Sequence, residues 1–374
     1  MLAAGRPFCI SALAIALYHH PGEPVLMSRY LCNGRYRFEL DDQTSGSALA
    51  QRLRVFLAPY FAEVADDGQT TVDLRVRLHD STAFKPEWVG LCVTPDIIRE
   101  TYAPGFTLRV LRGHDPQTGL DYAWDADTQV GYRIDRARHT VDFHGDENAF
   151  IHLIELVRYY GLLVEQAKGS VIMHASAVVG PDGGIVAIGG AKGAGKTTTM
   201  LDLVLSEGYL YFSGDKLLLD CIDGRVRARG WPDYPHVGVG TLRTHPELAK
   251  RLDLAAVADD LSIAHTEKRL CMPETMRAAL KASPEGCGWL QTVVLPNVAA
   301  RGKLQVHAMG RDAILEQIHS PTLFEWPHRF VTSTWHGLLD ATSLTDTVPA
   351  QIVRGLLGVQ WQSRVGVARE LISA

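Results

Sequence analysis

The chain reads as an α/β protein in two parts, a mostly β α+β amino-terminal domain followed by an α/β domain on a mixed sheet. Three observations predict this. Short alternating apolar runs, broken by Gly, Asp, Asn and Pro clusters, fill the chain up to residue 145. A strongly apolar helical stretch, Ala149 to Gln166, follows them. Beyond it, the buried strand Ile185 to Ile188 runs directly into a glycine-rich loop and then an amphipathic helix.

At 374 residues the chain exceeds one core of ordinary size, and two domains are expected. The divisions fall at residues 1–145 (amino-terminal, mostly β), 146–169 (a connecting helix), 170–345 (the domain carrying the loop) and 346–374 (a helical tail). Apolar residues at 46% and charged residues at 21% leave ample material for buried cores and give no sign of disorder. A net charge of -5 without a long basic run argues against nucleic acid or an anionic membrane as partner. Cys9, Cys32, Cys92, Cys221, Cys271 and Cys287 lie outside any C-x-x-C pair and lack His partners at zinc spacing, so reduced thiols and a cytoplasmic location are expected. The run Phe8 to Tyr18 is read as a first strand or helix, because His19-His20-Pro21-Gly22-Glu23 is a poor cleavage context for a signal peptide. No stretch reaches the roughly 18 uncharged apolar residues of a membrane span.

In the amino-terminal half the expected strands are Arg35 to Leu40, Thr71 to Leu78, Phe106 to Leu111, Val130 to Asp135 and His139 to Phe143, with a helix over Ser45 to Ala65. Asp146-Glu147 place acid at the positive end of the connecting helix, and Gly169 lies just past its end. Then come the strand Val171 to Val179, the Pro181-Asp-Gly-Gly184 turn, the strand Ile185 to Ile188, the loop, and a helix over Lys196 to Ser206. The strands Tyr209 to Phe212 and Leu217 to Cys221 flank the polar Ser213-Gly-Asp-Lys216, and Asp223-Gly224 turns the chain into Arg225 to Arg229. Further helices open at Thr244-His-Pro-Glu247, Pro273 and Gly310, with strands Thr292 to Leu295 and Leu304 to Ala308 between them, and Pro349 to Ala374 is expected to be helical.

The loop Gly190-Ala191-Lys192-Gly193-Ala194-Gly195-Lys196-Thr197 matches the G-x-x-x-x-G-K-T pattern of a P-loop, and Thr198 continues it into the helix. Its glycines let successive backbone N–H groups point at phosphate oxygens, and the following helix aims its positive end at them. Lys196 suits the terminal phosphates and the Thr197 hydroxyl suits a magnesium ion bridging them. The strand before and the helix after supply the context the pattern requires, so ATP is the expected ligand, with GTP as the alternative, together with Mg2+. Asp215, at the end of an apolar strand after the loop, is the candidate acid for metal or nucleophile; the alternative is a turn residue. His174 lies on the strand that would pair beside the loop strand.

Taken together, His174-Ala-Ser-Ala177, Gly183-Gly184, the loop, and Gly208-Tyr-Leu-Tyr-Phe-Ser-Gly-Asp215 resemble the catalytic domain of the HPr kinase/phosphorylase family over roughly residues 170 to 235. The resemblance implies a P-loop kinase domain with a mixed sheet, of the type shared with phosphoenolpyruvate carboxykinases. It implies that His174 lies beside the phosphate, that the loop binds nucleotide, and that an Asp-Asp pair supplies base and magnesium contact. The first acid of that pair falls on Gly214 here, so only Asp215 remains, and whether it serves as base, metal ligand or both stays open. Arg229-Gly230 loosely resembles a family signature and Lys268-Arg269 sits where the family has a basic loop, but the surrounding patterns are missing.

These departures point away from a true HPr kinase and toward a divergent relative that phosphorylates a hydroxyl of a peptide, a protein or a small molecule, natural-product precursor peptides included. A γ-phosphoryl transition state favours cations around it, which makes Arg229, His236, Arg243, Lys268 and Arg269 the candidate substrate residues. The expected catalytic set is Asp215, Lys196 and His174, with Thr197 and Asp215 on the metal. The rival readings are a nucleotide-binding regulator that kept the loop and lost the pair, an ATP or GTP hydrolase, and a carboxykinase-like reaction. A homo-oligomer is compatible with all of them.

Overall fold

The computed structural model describes residues 28–32, 35–44, 48–64, 71–99, 107–298, 304–330, 337–339 and 344–366, so the Phe8 to Tyr18 run lies outside the described residues. The protein is α/β with mixed sheets. In the amino-terminal half nine strands, β1 (Ser28–Cys32), β2 (Tyr36–Asp42), β3 (Ala62–Val64), β4 (Leu74–His79), β5 (Thr94–Arg99), β6 (Leu108–Asp115), β7 (Leu120–Asp125), β8 (Val130–Asp135) and β9 (Thr140–His144), form one sheet. Its spatial order is β3-β1-β2-β4-β9-β8-β7-β6-β5. The run from β5 to β9 is an antiparallel meander, whereas β2, β4 and β9 are parallel neighbours.

Alternation along these strands decides what lies inside. Leu74, Val76 and Leu78 of β4 are fully buried while Arg75 is exposed and Arg77 half-buried between them, as a strand with one covered face requires. The covering helices are α1 (Ala48–Leu57) and α3 (Phe150–Ala167); a short α2 (Pro86–Leu91) lies over β6 and β7. The helix expected over Ser45 to Ala65 is therefore shorter. Pro59 cannot donate into a continuing helix and disfavours the helical region for the residue before it, and the chain re-forms as β3.

Helix α3 is buried on almost every side, polar residues Glu155, Arg158 and Glu165 included, because it lies between the two halves. One core runs from Phe38, Leu53 and Val76 through Leu153 and Val157 to Ile172, Leu218 and Trp231. Tyr60 adds a direct tie by donating to the carbonyl of Phe212 at 2.6 Å.

The second sheet contains β10 (Val171–Val179), β11 (Ile185–Gly189), β12 (Leu210–Ser213), β13 (Lys216–Ile222) and β14 (Arg225–Gly230). A small ribbon, β15 (His236–Gly238) with β16 (Lys268–Leu270), stands apart, and β17 (Cys287–Asn297), β18 (Gln305–Ala308), β19 (Phe324–Glu325) and β20 (Gln360–Val365) complete the sheet. Its main path is β11-β10-β13-β14-β17-β20-β18. The long β17 pairs with β14 through Cys287–Trp289 and then runs parallel to β11 from Leu290 onward, bringing the two ends of that path together. Helix α4 (Lys196–Ser206) packs on β10 and β11.

The tail differs from the expectation of continuous helix. Residues Ala350–Leu356 are helical, but Gln360–Val365 form β20, parallel to β17. The ladder with β17, from Thr292 opposite Gln360 to Asn297 opposite Val365, overrides the helical reading there. Among the described residues no helix is long and apolar enough to cross a membrane.

Candidate functional site

Strand β10 changes partners in its middle. Val171 to His174 pair with β13 on one side, and Ile172 and Met173 with β19 on the other. From Ala175 onward the partner is β11, and from Ala177 also β12. At the changeover Ala175 lies opposite Gly189, the residue before the glycine loop, and donates its N–H to the carbonyl of Asp215 at 3.1 Å. Adjacent strands stand about 4.8 Å apart, so the root of the loop and Asp215 flank β10 at a separation of about 10 Å.

The loop needs its glycines. Gly190, Gly193 and Gly195 have φ of 130°, 87° and 102°. At Gly195 a Cβ would also sit 2.4 Å from Val298, whose N–H bonds the carbonyl of Ala194 at 3.2 Å. Ala191, Lys192 and Gly193 are exposed at the tip, and Thr197 and Thr198 are half-buried in the first turn of α4. Lys196 is buried, and its ammonium donates to the carbonyl of Gly190 at 2.9 Å. Burial lowers its pKa; Asp215 opposes this, Lys268 adds to it and Glu325 opposes it, so all three charges act on the loop lysine.

Opposite the loop stands a cluster of five ionisable side chains. His174 Nε2 lies 3.7 Å from Asp215 Oδ1, while His174 Nδ1 is hydrogen-bonded to Glu325 Oε1. Lys216 Nζ is 3.0 Å from Glu325 Oε2, 3.6 Å from Asp233 Oδ2 and 3.8 Å from Asp215 Oδ2. Burial alone would raise Glu325, but the hydrogen bond from His174 and the charge of Lys216 hold its carboxyl at about 2. Asp233 likewise resists burial and is held at about 2 by Arg158 and then Lys216. The Lys216 ammonium, although desolvated, is kept above its ordinary pKa by Asp233, Glu325 and Asp215.

The site is therefore a glycine loop whose lysine feels the charges of Asp215 and Glu325, together with a cluster of three carboxylates, one imidazole and a second lysine. The Ser213-Gly-Asp-Lys216 turn is fixed by Ser176, whose hydroxyl donates to the carbonyl of Gly214 at 2.6 Å. A Cβ at Gly214 would lie 3.2 Å from the Tyr211 hydroxyl and 3.5 Å from Pro235, so the position has room for a side chain once Tyr211 yields slightly.

The cationic candidates separate. His236 and Lys268 lie on the ribbon, where His236 is opposite Leu270 and Gly238 opposite Lys268. Desolvation lowers the His236 pKa, Asp233 and Asp215 raise it, and Lys268 lowers it. Arg269, on the same ribbon, is paired with Glu267. Arg243 donates to the carbonyls of Ala258, Asp260 and Ile263 at 3.0, 2.7 and 2.8 Å, which braces a loop. Arg229 is fully buried, and its guanidinium meets Glu165, Ser170 and Asp220. Those last two side chains are committed to holding the fold together. Glu325, Lys216 and Asp233 were not singled out as site residues; Glu325 lies on a two-residue strand far along the chain, with no sequence pattern to mark it.

No model of a known family and no curated protein matches the chain.

Mg2+ is implied by the sequence reading, and the donors fit it. It takes oxygen ligands, usually one or two carboxylates together with phosphate and water, which Thr197 and Asp215 can supply. A dedicated protein cage is not needed for that role, and among the described residues no three His, Cys, Asp or Glu side chains are arranged to hold a metal ion by themselves.

Proposed function

We propose that this protein is a magnesium-dependent kinase of HPr kinase-like type, which transfers the γ-phosphoryl group of ATP to a hydroxyl of a peptide, protein or small-molecule acceptor. The observation that supports this is the meeting at Ala175 of the glycine loop on one flank of β10 and Asp215 on the other, with His174 of β10 beside Asp215. A P-loop pattern by itself is compatible with many activities; a carboxylate one strand away from it can supply the proton acceptor that phosphoryl transfer to an alcohol uses.

In this reading the loop amides and Lys196 bind and orient the β- and γ-phosphates. Thr197 and Asp215 would hold the ion, whose chemistry is to neutralise charge on the phosphates. Asp215 accepts the acceptor's hydroxyl proton as its oxygen bonds to the γ-phosphorus, and the bond from phosphorus to the β–γ bridging oxygen breaks to release ADP. In the same reading Lys268 and His236 of the ribbon would meet the phosphates or the acceptor. Reduced cysteines suit a cytoplasmic setting, and Cys92, Cys221, Cys271 and Cys287 are all free thiols.

The test is ADP release from ATP and Mg2+, measured with and without candidate hydroxyl acceptors. Release that rises with an acceptor supports the kinase. Release indifferent to every acceptor makes the protein a hydrolase, and tight ATP binding without release makes it a nucleotide-binding regulator.

A further inference from the structure

A second carboxylate, that of Glu325, reaches His174 from far along the chain. Strand β19 lies against β10 with Glu325 opposite Ile172 and Phe324 opposite Met173, and the N–H of His174 donates to the carbonyl of Leu323 at 2.9 Å. This short pairing delivers one carboxylate to the imidazole that stands beside Asp215. Its two oxygens are both engaged, Oε1 by His174 Nδ1 and Oε2 by Lys216 Nζ at 3.0 Å. Lys216 is in turn held by Asp233, which is anchored on the buried Arg158. Glu325 is thus fixed from three elements, and it leaves His174 Nε2 as the ring nitrogen facing Asp215.

We propose that Glu325 is a positioning residue for His174, resting on the kinase reading above: it holds the imidazole with Nδ1 turned away and Nε2 aimed at Asp215 and the transferred phosphoryl group. The second carboxylate therefore acts on the far side of the histidine and leaves Asp215 alone at the reacting atoms. Positioning groups of this kind matter because small misplacements of a catalytic group cost about 100-fold in rate.

The test is a double-mutant cycle on the full chain with Glu325→Gln, His174→Asn and the double variant, read as kcat and KM for ATP in the transfer assay. Each single variant is expected to lose about 10- to 100-fold in kcat with KM for ATP nearly unchanged, and the double variant to lose no more than the worse single one. Losses that multiply, or a Glu325→Gln variant with full kcat, would overturn the proposal. A second measurement does not depend on turnover: ring-nitrogen NMR of His174 is expected to show Nδ1 protonated in the native chain and a mixed tautomer in Glu325→Ala. Equal tautomer populations in both chains would refute the positioning role even if the kinase reading stands. A tautomer change in a protein without transfer activity would sink the kinase reading and keep the contact.

Discussion

Asp233 Oδ1 lies 2.6 Å from a guanidinium nitrogen of Arg158, and this ion pair ties the helix between the two sheets to the charges around Asp215. Arg158 also bonds Glu155 at 2.7 Å, and Glu155 is paired with Arg99 of β5, so alternating charges run from the edge of the amino-terminal sheet to the site. The two halves of the chain are coupled by electrostatics as well as by a shared core.

Acid stability follows from that chain of charges. Asp233 and Glu325 are both held at about 2 in the folded state, below the roughly 3.9 and 4.3 of the free groups. A carboxyl depressed by folding contributes stability that is fully present above its unfolded pKa and is lost as pH falls through its folded one. Urea midpoints are expected to fall between about pH 5 and pH 2. Asp233→Asn is expected to flatten part of that decline while lowering stability at neutral pH; an unchanged acid limb would contradict the assignment.

Arg229 and Lys268, equal candidates by sequence, are expected to behave oppositely. Removing the buried Arg229 leaves the buried Glu165 without its cation, while Asp220 keeps Arg227 and Arg35, and Arg229→Ala is expected to cost about 3–5 kcal/mol in urea unfolding. Lys268 is exposed on the ribbon, so Lys268→Ala is expected to leave stability within about 0.5 kcal/mol and to change kcat or KM instead.

Gly195 tests the shape of the loop. A side chain there combines a φ of 102° with a contact of 2.4 Å to Val298. Gly195→Ala is expected to cost about 1–3 kcal/mol locally and to abolish ATP binding in calorimetry. Native affinity in that variant would show that the loop does not hold phosphate.

Asp215→Asn is expected to bind ATP in the absence of metal as the native chain does and to lose at least about 100-fold in transfer, because the proton acceptor and metal contact are both removed. Retained transfer would move the acid role to another carboxylate.

What was legible in the sequence was local. The loop, the strand before it and the helix after it could be read because Gly spacing and apolar periodicity encode them within a short window. The hairpins closed by Pro181-Asp-Gly-Gly184 and Asp223-Gly224 were legible for the same reason. Pairings between distant segments were not. Nothing in Phe324-Glu325 announces that it lies beside His174, and the parallel order β2-β4-β9 has no local signature. Arg229 reads like any arginine at the end of a strand; its commitment to Glu165 depends on helix α3, which lies far earlier in the chain. The tail, expected as helix, shows the same limit: its pairing with the distant β17 makes Gln360–Val365 a strand.

The most direct measurement is mass spectrometry of acceptors after incubation with the protein, ATP and Mg2+, using serine, threonine and hydroxyl-bearing peptides, with Lys196→Ala run in parallel. The account predicts that one acceptor class gains a single phosphoryl group with the native chain and none with Lys196→Ala. ATP binding by the native chain with no phosphorylated acceptor in any class would contradict it.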